Sequence, residues 1–174
     1  PYAPRAGYDF LVQAMGGIMS VTGEPDGDPQ KLGVGIADLM TGMYGLVAIL
    51  AALHHRTRTG KGQHVDMALY DSMTGVLANQ ALNFLVSGRA PHRLGNAHPN
   101  IAPYQVFAVA DGHVILAVGN DGRFARLCQA LGQPGLAAEP DFATNAARVG
   151  SRDRLTGLLA PLIAAYGRDD FLAM

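Results

Sequence analysis

Of the side chains in this chain able to do chemistry, Asp38 has the most pointed setting. It lies where a small apolar stretch, residues 31–37, meets the first turn of a long apolar segment, with Gly33 and Gly35 upstream to admit another group close to the backbone. Two accounts of it stand side by side. As an N-cap, its carboxylate would accept hydrogen bonds from the amides of the next turn. As a nucleophile kept ionised by a helix N-terminus, it would attack a thioester carbonyl held against it and form a mixed anhydride.

The other reactive groups exclude more than they suggest. His54 and His55 are adjacent and leave a helix on different sides, while His64, His92, His98 and His113 contain no i, i+4 pair, so no metal site is expected. Gly33-Val34-Gly35 lacks the third glycine and the preceding strand of a dinucleotide fingerprint, and no Walker A loop occurs. The absence of a Gly-x-Ser-x-Gly elbow removes the familiar serine hydrolase. Cys128 is the single cysteine, which excludes an internal disulfide and suits a reducing, cytoplasmic compartment. Its helical spacing with Phe124, Leu127 and Leu131 predicts a buried packing thiol.

The elements that position these groups follow from periodicity. Tyr8, Leu11, Val12 and Met15 predict a short helix broken by Gly16-Gly17, and residues 24–29 stack turn formers into a surface loop. From Asp38 to about Arg56 apolar residues cover nearly every face, predicting a helix buried on all sides with a basic last turn. Gln63 to Leu69 alternates as a strand does after the Gly60-Lys61-Gly62 turn. Asp71 is expected to cap a helix whose stripe is Met73, Val76, Leu77, Ala81, Phe84 and Leu85, ended by Gly88. Residues 89–103 carry Pro91, Gly95, Pro99 and Pro103 without periodicity, and form a linker or active-site loop. Tyr104–Val109 and Val114–Val118 then pair through Asp111-Gly112 as a hairpin. Two helices follow, the second starting at a Ser151 cap, with Leu155, Leu158, Leu159, Leu162 and Ile163 on one face and Pro161 inside it. The chain is therefore α/β, with residues 1–88 in one domain, 89–103 joining, and 104–174 in a smaller α+β domain.

Composition sets the outer limits. The 174 residues are 49% hydrophobic and only 16% charged, against roughly 25% charged in a typical soluble domain. That deficit excludes disorder and predicts that much of the outer surface is covered by a partner chain. A net charge of -1 gathers neither nucleic acid nor an anionic membrane. No secretion signal is visible, and the most apolar run, Leu39 to Leu53, is fifteen residues, short of the roughly 20 that span a bilayer. No membrane partner is therefore expected, and the protein is expected to be soluble. Eleven arginines against two lysines, with abundant Ala, Gly and Leu, suit a high-GC bacterial genome. The chain opens Pro1-Tyr2-Ala3-Pro4 without an initiator Met and stops just after the acidic helix start Asp169-Asp170, so it reads as an internal fragment of a longer protein.

A resemblance is carried by Gly7-Tyr8-Asp9, Gln13-Ala14-Met15-Gly16-Gly17, Thr22-Gly23, Ala37-Asp38 with Gly42, Arg58 to Gln63, and Val65-Asp66. It continues through Gly95 to Asn100, Gly119-Asn120-Asp121, Phe142 to Asn145, and Arg148. Over nearly its whole length the chain resembles the class III CoA-transferases, which include formyl-CoA transferase and have α-methylacyl-CoA racemases as relatives. Within them it is most similar to the dicarboxylate branch. The resemblance implies a Rossmann-like large domain, a smaller α+β domain and an interlocked homodimer. It implies no tightly bound cofactor, with coenzyme A esters as substrates, and transfer of CoA from a donor such as succinyl-CoA to a carboxylic acid. Asp38 matches the aspartate that is acylated and then becomes an aspartyl-CoA thioester. Positioning and backbone amides that stabilise the oxyanion would supply the rate. Gly7, Tyr8, Asp9, Gly95, Asn96 and His98 match substrate- and CoA-binding positions. Asp9 stands where formyl-CoA transferase has Glu, and Gly95 is the one glycine kept from its glycine-rich flap. The racemases place a His where this chain has Tyr8, and a phenol with pKa near 10 is poorly suited to α-proton transfer. A racemase-like activity, or a binding module that kept the fold and lost the reaction, are the alternatives.

Overall fold

The computed structural model describes residues 5–174, and the opening Pro1-Tyr2-Ala3-Pro4, one support for an internal N-terminus, lies outside the described residues. The chain divides into two compact units, one ending at Gly95 and the other spanning Asn96–Met174.

The first unit is helical. α1 covers Asp9–Met15, a 3-10 turn follows at Ile18–Val21, and α2 runs Ile36–Thr59. α3 covers Leu69–Val76 and α4 covers Ala78–Ser87. Their shared core is small: Val12, Ala37 and Met73 are buried, with Ile18, Ile36, Leu69 and Val76 packed around them. Gly16 permits that packing, because a Cβ there would sit 2.8 Å from Met73 Cγ.

Four expectations are corrected here. α2 is not buried on all sides; among its residues only Ala37 is buried, and Leu39, Met43, Leu46, Val47 and Leu50 are exposed. An all-round apolar pattern demands cover but does not say which segment supplies it. α2 also starts two residues before Asp38 and ends at Thr59, where Gly60 takes a φ of 72°, so its 24 residues extend beyond the expected Asp38 to about Arg56 at both ends. By length and composition it is long and apolar enough to cross a membrane, a test that the core helix of a soluble assembly also passes. The alternating segment 63–68 takes no regular structure and Leu69 already belongs to α3. A strand exists only through pairing, and the described residues of this unit contain no strand to pair with it. The single helix expected after Asp71 is two, broken where Ala78 takes a φ of 47°, and its cap position is Ala68 with Asp71 inside the first turn.

The second unit pairs a hairpin with helices. β1, Tyr104–Val109, runs antiparallel to β2, Gly112–Ala117, with Val109 opposite Gly112 across the two-residue turn Ala110-Asp111. Two helices and a further helix start at Asp169-Asp170 were expected; the described residues form α5 (Asp121–Ala130), α7 (Arg152–Ala164) and α8 (Arg168–Ala173), and add α6 (Asn145–Gly150) and a 3-10 turn at Pro134–Ala138. The added start of α6 has a local cause. Thr144 Oγ1 accepts from the Ala147 amide as Asn120 Oδ1 does from that of Arg123, whereas Ser151 caps α7 by position only. The core joins Phe107, Val109, Val114, Phe124, Cys128, Phe142, Leu155, Leu159 and Ile163, while Leu158 faces outward. Cys128 is fully buried, as its spacing predicts, and burial pushes its thiol pKa up against the opposing effect of Arg148.

Candidate functional site

Asp38 is the third residue of α2, and its exposed carboxylate makes no hydrogen bond or ion pair among the described residues. It is therefore not the N-cap. Gly35 holds that position, and the capping oxygen comes from another helix: Asp9 Oδ1 accepts from the Ala37 amide at 2.8 Å and the Asp38 amide at 3.4 Å. Two α2 positions are thus fixed through a carboxylate 28 and 29 residues away in sequence.

Asp9 is itself held. Its Oδ2 accepts from Gln13 Nε2 at 2.7 Å, one turn further along α1. Gln13 is fully buried and makes full use of its amide: Nε2 also donates to Val34 O at 3.3 Å, and Oε1 accepts from the Leu32 amide at 2.9 Å. One glutamine thereby ties the stretch leading into α2 to the residue that caps α2. A buried amide left without these partners would cost about 1–3 kcal/mol.

Gly35 lies between the two carboxylates. A Cβ built on it would be 3.6 Å from Asp38 Oδ2, 3.6 Å from Asp9 Cγ and 3.7 Å from Asp9 Oδ1. The glycine leaves the space beside Asp38 free of a side chain. The amides of this turn already have acceptors. Ile36 N–H donates to Val34 O, Ala37 and Asp38 to Asp9, and Leu39 to Gly35 O. The dipole of α2 acts on Asp38, while the amides of its first turn are already engaged within the protein.

The remaining expected site residues fall in different surroundings. Tyr8, at the N-cap position of α1 next to Asp9, is 73% exposed, and Gly7 has open space around it. Gly95 adopts a φ of 55°, donates its amide to Gly23 O, and packs so that a Cβ would meet Glu24 Oε2 at 2.8 Å. Arg93 fastens the same turn, donating to Glu24 O at 3.1 Å and Gly27 O at 2.7 Å. Asn96 and His98 belong to the second unit. Asn96 is exposed; the His98 ring stacks on Tyr104 with centroids 5.1 Å apart, and its Nδ1 accepts from the Asn100 amide. A neutral His98 ring consequently carries its proton on Nε2. Arg152 holds this segment through the carbonyls of His98, Pro99 and Ile101, and burial lowers its pKa, with Asp153 opposing.

The structure thus unites Asp9, Gly35 and Asp38. Gln13 and the capping role of Asp9 escaped periodicity; the available signal was a polar residue four positions after Asp9 on an otherwise apolar helix. Among the described residues no group of three His, Cys, Asp or Glu side chains could hold a metal ion.

Comparison with known proteins is consistent throughout. The model of "CoA-transferase family III" matches residues 1–174. The chain is 54% identical over 172 residues to a succinate–glutarate CoA-transferase of Agrobacterium fabrum, covering 99% of this chain and 43% of that protein. It is 43% identical over 166 residues to a succinyl-CoA:mesaconate CoA-transferase of Haloarcula marismortui, covering 95% of this chain and 41% of that protein. A crystal structure of a CAIB/BAIF family protein from Brucella suis superposes with a TM-score of 0.77 at 60% identity, over 99% of this chain and 46% of that one. The chain spans less than half the length of these relatives. It belongs to CoA-transferase family III.

Proposed function

We propose that the full-length protein is an acyl-CoA:carboxylate CoA-transferase in which Asp38 is the covalent nucleophile. The observation that carries this reading is the Asp38 carboxylate: exposed, unbonded, and mounted on a helix turn whose backbone is fixed by Asp9. Such a group is a weak nucleophile by basicity, so its rate depends on position.

Asp38 attacks the thioester carbonyl of the donor, the C–S bond breaks, and CoA thiolate leaves a mixed anhydride. The thiolate attacks the aspartyl carbonyl of that anhydride, releasing the donor acid and leaving an aspartyl-CoA thioester. The acceptor carboxylate then displaces the thiolate to form a second anhydride. Attack of the thiolate on the acceptor's carbonyl yields the new acyl-CoA and regenerates Asp38. No proton or electron is left unbalanced. Similarity to the succinate–glutarate and succinyl-CoA:mesaconate enzymes supports succinyl-CoA as donor and a short dicarboxylate as acceptor.

Gly7, Tyr8, Gly95, Asn96 and His98 serve as contacts for the acyl-CoA and the acid, with no tightly bound cofactor. A Rossmann-like large domain to which residues 1–88 contribute, a smaller α+β domain from 104–174, the loop 89–103 between them, and an interlocked homodimer in the cytoplasm complete the reading. The apolar exposed surface of α2, which demands cover, supports the part of this reading in which the rest of the large domain or a second copy packs on it.

The test is to incubate the full-length protein with succinyl-CoA and hydroxylamine and map the product by mass spectrometry. A hydroxamate on Asp38, absent from Asp38→Asn of unchanged oligomer size, supports the transferase. An unmodified Asp38 with exchange of an α-proton into deuterated water would indicate a racemase, and with no turnover a binding module.

A further inference from the structure

We propose that Asp9 and Gln13 form a positioning relay for Asp38, and that Asp9 does not bind substrate. The inference rests on the nucleophilic reading of Asp38 and deepens it. Both Asp9 oxygens are engaged inside the protein: Oδ1 by the amides of Ala37 and Asp38, Oδ2 by Gln13 Nε2. Gln13 in turn grips Leu32 and Val34, the residues that feed the chain into α2. The Asp38 backbone is thus held from two directions, by a cap on its own amide and by the segment that enters its helix. The small core beneath, Val12, Ala37 and Met73, gives little other restraint. A carboxylate with no hydrogen bond of its own takes its aim from its backbone, and a shift of about 1 Å in a reacting group costs on the order of 100-fold in rate.

The direction of donation makes the relay testable by exchange. In Gln13→Glu, an oxygen replaces the Nε2 donor and faces Asp9 Oδ2, setting carboxylate against carboxylate. In Asp9→Asn, Oδ1 still caps α2, but an NH2 group faces the Gln13 NH2. Combining the two substitutions restores complementarity. The introduced amide then donates to the introduced carboxylate, whose other oxygen still accepts from the Leu32 amide, while the long bond to Val34 O is replaced by a carboxylate oxygen facing that carbonyl, a cost covered by the allowance of about tenfold for the double variant. The net charge is unchanged, and an asparagine caps a helix about as well as an aspartate.

The experiment measures succinyl-CoA-dependent transfer by the full-length protein and its three variants, with thermal melts and hydroxamate mapping on each. Each single variant is expected to lower kcat by on the order of 100-fold while KM for succinyl-CoA stays within about twofold, and the double variant to recover to within about tenfold of the parent. A double variant no faster than the slower single variant overturns the relay, as does a raised KM with unchanged kcat, the signature of a substrate contact. Single variants that turn over at the parent rate overturn it as well. Should a single variant fold poorly, the double variant, whose pairing is intact, still decides. Failure of the parent to form the Asp38 hydroxamate would instead remove the nucleophile reading, and the relay with it.

Discussion

Gly35→Ala separates access to Asp38 from stability. Gly35 has φ -71° and ψ 69°, and Ile36 N–H donates back to Val34 O at 2.9 Å, an inverse γ-turn that alanine adopts as readily as glycine. The added methyl would lie 3.6 Å from Asp38 Oδ2 and 3.6 Å from Asp9 Cγ, ordinary contact distances that displace nothing. Folding should then change by less than about 1 kcal/mol, because the freedom the unfolded chain loses offsets alanine's poorer fit to the N-cap position. Catalysis should suffer. An attacked carbonyl carbon must come within about 3–3.5 Å of an Asp38 oxygen, in space the methyl now shares. A forced displacement of about 1 Å lowers kcat/KM on the order of 100-fold. The assay pairs steady-state transfer from succinyl-CoA to glutarate with a thermal melt of the same full-length protein. Parent-like kcat/KM would refute the claim that substrate reaches Asp38 past Gly35, and a melting point lowered by several degrees would refute the contact geometry.

Two further predictions concern the second unit. Arg148 is fully buried, donates to Ala102 O at 2.7 Å and Phe142 O at 2.8 Å, pairs with Asp121 at 2.8 Å, and lies 4.5 Å over the Phe124 ring. Arg148→Met leaves two carbonyls without donors and should cost about 3–5 kcal/mol in urea unfolding; a loss below about 1 kcal/mol contradicts that role. Cys128 should react with a thiol reagent only as fast as the unit opens. Since burial raises its folded pKa, its contribution to stability is complete below the unfolded thiol pKa of about 8.5 and is lost as pH rises through the folded value. Thermal melts across that range, with Cys128→Ala showing less alkaline loss, check the sign.

Local pattern made the elements legible wherever the pattern's cause is itself local. The short helix stopped at Gly16, the hairpin after Val109, whose turn lies one residue earlier than the expected Asp111-Gly112, and the buried stripe of Cys128 depend on spacing and on turn chemistry within a few residues. Where the cause is a partner, the same reading failed. Residues 63–68 alternate correctly but find no strand to bond among the described residues of their unit, and α2 is apolar all round yet exposed. The break at Ala78 was invisible because one residue's positive φ leaves the apolar stripe intact on either side.

The sequence by itself determined that Asp38 is a carboxylate on the opening turn of a long apolar helix, because glycine spacing and apolar pattern are written in consecutive residues. Only the tertiary structure decided that Asp38 is free while Asp9 caps its helix, since the hydrogen bonds that settle this join α1 to α2 across nearly thirty residues of chain. Side-chain hydrogen bonds between distant segments leave no periodic trace, as each needs just one donor and one acceptor brought together by packing.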